Sequence, residues 1–168
     1  MPKVIRYQIA DYLETKAAAD GGAGAVNSLM GLGFLTLDEN PSAKVETTAY
    51  INNRSASGTI TGYETVFPFD TQLISDEEAV KFIYEIARNQ KTGSEAETYY
   101  YRVDLFNGTG TNTSYPARRF KVAVEVTGIT GAGTEIVRVA GNLHQVGDFT
   151  PGTFDVETKT FAPTVANT

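Results

Sequence analysis

The chain predicts an α+β fold, mainly β: an antiparallel β-sandwich or barrel of about seven to eight strands flanked by one α-helix at about 75–91. Three observations carry this. Only one stretch, SDEEAVKFIYEIARNQKTG at 75–93, sustains a helical repeat. Elsewhere, apolar residues mostly alternate with polar ones at the period of a half-buried strand. The length of 168 residues, 41% of them hydrophobic, is enough for one substantial core and short for two.

The helix has recognisable ends. Ser75 followed three residues later by Glu78 is a capping-box pattern, and Asp76 and Glu77 place negative charge at the positive end of the helix dipole. Arg88 and Lys91 suit the other end, and Gly93 can take the left-handed conformation that closes a helix. Ala79, Phe82, Ile83, Ile86 and Ala87 fall on one stripe. Burying Phe82, Ile83 and Ile86 contributes roughly 1.5–3 kcal/mol each against about 1 kcal/mol for a cap, so this helix exists because it has a sheet to lie on.

Taken in order, Ile5, Tyr7 and Ile9 alternate with Arg6 and Gln8 in a first strand at 3–9. The stretch 16–33 is dominated by Ala and Gly, offers little apolar surface against its ordering entropy, and is expected to be a flexible loop. A short strand at 34–37 ends in Asp38, Glu39, Asn40 and Pro41, a dense turn signal. Strands at 44–52 and 59–69 flank a polar connection at 53–58, which suits a hairpin or projecting loop. After the helix, ETYYYRVDLF at 97–106 alternates clearly: Tyr99, Tyr101, Val103 and Leu105 point inward, while Tyr100, Arg102 and Asp104 point away. Phe120, Val122, Val124 and Val126 repeat the pattern, Gly128, Gly131 and Gly133 turn into a strand at 135–143, and the Thr150-Pro151-Gly152-Thr153 turn shapes the end. One domain over 1–161 is expected, with a frayed tail at 162–168.

Composition excludes several functions. There is no cysteine, hence no disulfide framework and no thiol chemistry, and the single histidine makes a transition-metal site unpromising. A net charge of −6 is wrong for a protein that grips nucleic acid by its phosphates, and the Arg118, Arg119 and Lys121 group reads as a solvated or pairing face. No stretch has the length of a membrane span, and the opening residues lack a secretory signal pattern. His144 with Asp148 four residues on is the one arrangement that resembles an acid–base pair. No nucleophile elbow, phosphate loop, dinucleotide loop or Ca²⁺ loop accompanies it. A lone histidine beside a Gly-containing turn is more often a surface or turn residue than a catalyst.

The segments GYETVFPFDTQLI, EIARNQKTGSEAETYYYRVDLF, PARRFKVAVEV and GNLHQVGDFTPGTFD, in that order over about 62–161, resemble the major tail protein, or tail tube protein, of long-tailed phages of Gram-positive hosts. The first sixty residues match only loosely. The resemblance implies a β-sandwich with a flanking helix that self-assembles into stacked hexameric rings. These rings form the hollow phage tail tube through which the genome is ejected. It further implies a structural virion protein with no enzymatic activity and no cofactor, assembled in the bacterial host cytoplasm. Its partners would be itself, the tape measure protein, the tail-tip and tail-terminator proteins, and DNA as non-specific cargo in the lumen. An acidic chain suits such a conduit, since a basic wall would hold DNA through counterion release. Glu46, Glu64, Asp104 and Glu125, each opposite the apolar face of its strand, become candidates for the lumen. The loops holding Gly21, Gly22 and Gly24 and holding Asn53, Arg54 and Ser55 become candidates for ring contacts. The alternative is a β-sandwich module that binds a glycan or a protein through its tyrosines.

Overall fold

The structure is a computed structural model that describes residues 2–17, 24–108 and 113–164. The strands are β1 (Ile9–Lys16), β2 (Val26–Leu29), β3 (Phe34–Leu37), β4 (Ala43–Thr48), β5 (Ser57–Tyr63) and β6 (Val66–Gln72). Helix α1 (Glu78–Arg88) follows, then β7 (Glu97–Asp104), β8 (Ser114–Thr130), β9 (Arg138–Gln145), β10 (Thr150–Asp155) and β11 (Thr160–Pro163). Among the described residues the fold is thus mainly β with one α-helix, as the alternation predicts.

The main sheet runs β2-β1-β7-β8-β9-β6-β3, antiparallel throughout. Its two edges, β2 and β3, are joined by residues 30–33 alone. Extended, the path from Leu29 to Phe34 spans at most about 17 Å. In a flat sheet of this order the edges would lie about 29 Å apart. The sheet therefore curls into a half-barrel, and Gly33 (φ +92°) makes the corner, accepting the Gln72 N–H at 2.8 Å. A side chain there would meet Ile74 and the Gln72 carbonyl.

Helix α1 packs on one face of the curl. Ala79, Ile83 and Ile86 join Leu13, Phe67, Tyr100, Phe120, Val122, Val139 and Leu143 in the larger core. A second core lies on the other face of β1 and β7, where the β10–β11 hairpin folds over: Phe154 and Phe161 pack on Tyr12 and Tyr101. β10 can do this because β8 is long enough to pair β10 along 114–119 and β9 along 122–130.

Several elements differ from expectation for identifiable reasons. The first strand begins where it was expected to end: Arg6–Gln8 form a 3-10 turn, Ile5 and Tyr7 are exposed, and β1 continues to Lys16. Because β1 pairs on both sides and is covered on both faces, its sequence IADYL does not alternate. Part of the Ala/Gly loop, Val26–Leu29, is a strand recruited by β1, which no local pattern announces. The expected strand 59–69 is two strands, broken at Glu64 and Thr65, so that β5 leaves the main sheet and β6 stays in it. Tyr100 does not point to solvent: both faces of β7 are covered, and Tyr100 is fully buried. Residues 162 and 163 belong to β11, paired with β10, so the expected fraying does not begin at 162.

The helix ends differ as well. Ser75 and Asp76 form a turn that carries the chain out of β6, and Glu77, without a side-chain cap, takes the N-cap position. At the other end Gln90 (φ +49°) is the left-handed residue, with Lys91 N–H on Ile86 O at 3.0 Å and Gln90 N–H on Ala87 O at 3.2 Å. That is a Schellman closure two residues into the loop. Gly93 instead opens the next 3-10 turn.

The tightest backbone approach gives a test. β8 carries a bulge between Val126 and Gly128, which presses its chain onto Gly141 of β9, so that a Cβ there would overlap the Glu125 carbonyl and Val126 Cα. Gly141→Ala is expected to cost about 3 kcal/mol in urea unfolding, and Gly133→Ala, which meets nothing within 4 Å, less than about 0.5 kcal/mol.

Candidate assembly surface

Strands β4 and β5 form a two-stranded sheet separate from the main one. Every residue of β4 is exposed, and so is nearly all of β5. Thr48 pairs with Ser57, which makes 49–56 the tip, where Tyr50 is exposed and Ile51 as open as in an extended chain. Val45 and Ile60 sit opposite each other across the hairpin at 63% and 56% exposure, an apolar pair left uncovered among the described residues. A lone two-stranded hairpin is marginal in water. Its apolar pair gains its burial only against another surface.

The root of the hairpin, by contrast, is held firmly. Asn40 and Val66 exchange backbone hydrogen bonds at 2.8 and 2.9 Å, and Lys44 pairs with Glu64 at 2.5 Å. Glu39 receives both terminal nitrogens of Arg118, at 2.6 and 2.8 Å, and lies 3.5 Å from Arg102 Nε. Arg102 is itself buried, 3.5 Å from Asp11, and donates to the Tyr100 hydroxyl at 3.2 Å. Tyr100 donates to Asp11, which also accepts from Arg6 at 2.5 Å. Asp104 completes a balanced set, Arg6, Arg102 and Arg118 against Asp11, Glu39 and Asp104. Burial of Glu39 favours its neutral form, but the hydrogen bonds and charges of Arg118, with Arg102, outweigh this and hold its pKa below the ordinary value. Burial raises that of Asp104 despite the same arginines, and raises the Tyr100 hydroxyl well above its usual range. The cluster ties β1, β7, β8 and the hairpin root into one body.

Beside the root lies a groove of about 780 Å³. It opens where β3 leaves β1 to pair with β6, and Ala10, Met30, Phe34, Leu35, Leu105 and Tyr115 are among its walls. Arg6 bridges one end to the Leu37 carbonyl at 3.1 Å, and Asp38 stands exposed at the rim. No signal in the sequence marks this site, because its walls come from five separate segments.

The remaining surface is the sheet face opposite α1. Cross-strand register places Glu125, Lys121, Asn142, His144, Arg138 and Asp70 together there. Each charge is paired: Lys121 with Glu97 at 3.3 Å, Arg138 with Asp70, and Glu125 with His144 at 2.6 Å and Asn142 at 3.3 Å. His144 thus takes Glu125 as its partner, not Asp148. The hydrogen bonds from His144 and Asn142 lower the pKa of Glu125.

Of the lumen candidates, Glu125 stands on this open face, and Glu46 and Glu64 belong to the hairpin and its root. Asp104 lies on the opposite face, sharing that of Arg102 and Tyr100 on β7, so it is not the outward residue the alternation suggested. Of the contact candidates, Asn53, Arg54 and Ser55 are exposed at the hairpin tip, Gly24 is exposed just before β2, and Gly21 and Gly22 lie outside the described residues. Arg118 and Arg119 are not free for an anion. Arg118 is bound to Glu39 and stacks near Phe120 and Phe149, and Arg119 stacks on Tyr99 and Phe161. The three consecutive tyrosines make no platform for a sugar, since Tyr100 and Tyr101 are both buried.

No family model and no curated protein matches the sequence. Among solved structures, the chain is similar to the tail of an empty GTA particle, refined helically with C6 symmetry. The TM-score is 0.56 at 7% sequence identity, over 88% of this chain and 98% of that one. At such identity the likeness is one of fold, and it covers that tail subunit almost completely.

The root cluster makes a pH prediction. Glu39, with its pKa lowered on folding, contributes stability that is present above the ordinary glutamate value of about 4.3 and lost as pH falls through the folded one. Glu39→Gln, which leaves Arg102 short of a partner, is expected to cost about 2–3 kcal/mol near pH 7. It should also flatten the wild-type loss of stability below about pH 4, read by urea unfolding at a series of pH values.

Proposed function

We propose that this chain is the structural subunit of a phage-type tail tube, of the kind carried by long-tailed phages of Gram-positive hosts. It assembles with itself into six-membered rings that stack into a hollow tube, and the genome leaves through that tube. The observation that carries the reading is the fold, which matches a helical tail subunit over 98% of its length. The bare hairpin and the free outer edges of β2 and β3 support it, because each is a liability in a monomer and a joint in a polymer.

In this reading the open face with Glu125 lines the lumen, and Asp104 serves the root cluster. That wall differs from the acidic one that composition alone suggests. Its carboxylates Glu97, Glu125 and Asp70 are each bonded, and so are its cations Lys121 and Arg138. Among the described residues, pairing of Lys121 and Arg138 leaves that face no free cation to hold phosphates by counterion release, which is what a passage for DNA requires. The hairpin, with Glu46 on its strand and Asn53, Arg54 and Ser55 at its tip, makes ring contacts together with the segment at Gly21, Gly22 and Gly24. The tape measure protein and the tail-tip and tail-terminator proteins are then the neighbours, and the virion is the final location.

Negative-stain electron microscopy of concentrated protein, alone and with purified tail tips as nuclei, tests this. Hollow tubes or six-fold rings are the expected result. Persistent monomers in the presence of nuclei would overturn the assignment.

A further inference from the structure

The tip of the hairpin and the groove at its root are complementary. The tip presents two bare apolar side chains, Tyr50 and Ile51, followed by Arg54. The groove presents apolar walls, Leu35 among them at 53% exposure, with Asp38 at the rim. Among the described residues neither Arg54 nor Asp38 has an ion-pair partner, whereas Arg6, Asp11 and Glu39 around the same groove are already paired. Charge balance at the groove is thus missing one cation, and the tip has one to give. The tip cannot fill the groove of its own chain, because the hairpin starts at that rim and strands of six and seven residues carry the tip about 20 Å away.

We infer that the groove receives the hairpin tip of a second copy of this chain, Tyr50 and Ile51 entering between β1 and β3 and Arg54 pairing with Asp38. This rests on the self-assembly reading above and names the receiving site for it. Donor and acceptor lie at opposite ends of one hairpin, so each docking event displaces the next copy by the hairpin's length. Such a contact is heterologous: every occupied groove leaves a further tip free, so the series grows copy by copy until it closes into a ring or runs on as a filament. It also accounts for both unexplained costs on this surface, the bare hairpin and the unfilled apolar groove, with a single contact.

The absence of cysteine makes the test clean. In the full chain, Ile51→Cys and Leu35→Cys are combined, assembly is induced with tail tips as nuclei, and the sample is oxidised and run under denaturing, non-reducing conditions. The expected result is tubes together with a covalent ladder that neither single variant gives. Tubes without a ladder, a bond within one chain, or a ladder from Ile5→Cys with Leu35→Cys in place of the Ile51 pair would overturn the inference and leave the tube reading intact. If wild-type protein makes no tubes under the same conditions, the tube reading fails first and the inference falls with it. A charge exchange gives independent evidence: Asp38→Arg and Arg54→Asp should each cut tube yield at least tenfold, and the double exchange should restore it. Loss in the double variant equal to the sum of the singles contradicts the pairing.

Discussion

The constraint on which the rest of the structure depends is the short link at 30–33. It joins strands at opposite edges of a seven-strand path, so a flat sheet is unreachable and the curl is imposed by chain length. The curl creates a hollow that α1 fills, which explains why Phe67, Tyr100 and Phe120, from three different strands, meet in one aromatic cluster under the helix. It also sets the seam: β1 and β3 approach each other without pairing, and the gap between them is the groove. The hairpin leaves the sheet directly after β3, so its root is placed at that seam by the same link.

Two kinds of stability coexist in this architecture. The body has two apolar cores separated by β1 and β7, and a set of three cations and three anions, buried at Asp11 and Arg102 and open to solvent at Arg6, stitches those strands to the hairpin root. Such a cluster gains little over apolar packing, yet removing one member strands a buried charge, so it specifies geometry more than it adds stability. Beyond that root, β4 and β5 have only each other. The chain therefore joins a firmly held base to an arm that has no partner among the described residues, and the contrast is sharpest within a few residues, between Glu39 and Tyr50. An arm held at its root and bare at its tip is aimed, and that is useful for a subunit that adds to a growing end.

Much of the fold was legible in the sequence. The helix, the hairpin at 53–58, and the alternation in β7, β8 and β9 all follow from local periodicity. What periodicity could not show was any strand with both faces covered: IADYL in β1 and the outward half of β7 look half-polar because Asp11 and Arg102 are buried as a pair of charges, not exposed. The same cluster hid the placement of Asp104. β2 was illegible for a different reason, since VNSL has no strand pattern of its own and is a strand only because β1 offers an edge. Helix caps misled because Ser75 and Gly93, good capping residues in isolation, are used by the turns that connect the helix to the sheet. The groove had no sequence signature at all. The hairpin tip did, in the polar run that includes Asn53 and Arg54, although its apolar contribution from Tyr50 and Ile51 was hidden inside an expected strand.

The central claim is that the hairpin gains its partner on assembly. Amide hydrogen exchange, comparing dilute protein with assembled protein, addresses that claim most directly. Residues 43–63 should exchange rapidly in the dilute state while β7, β8 and β9 are protected, and assembly should protect the hairpin together with 34–38 at the groove. A hairpin as protected in dilute monomer as the main sheet, or one unchanged when the protein assembles, would contradict the account.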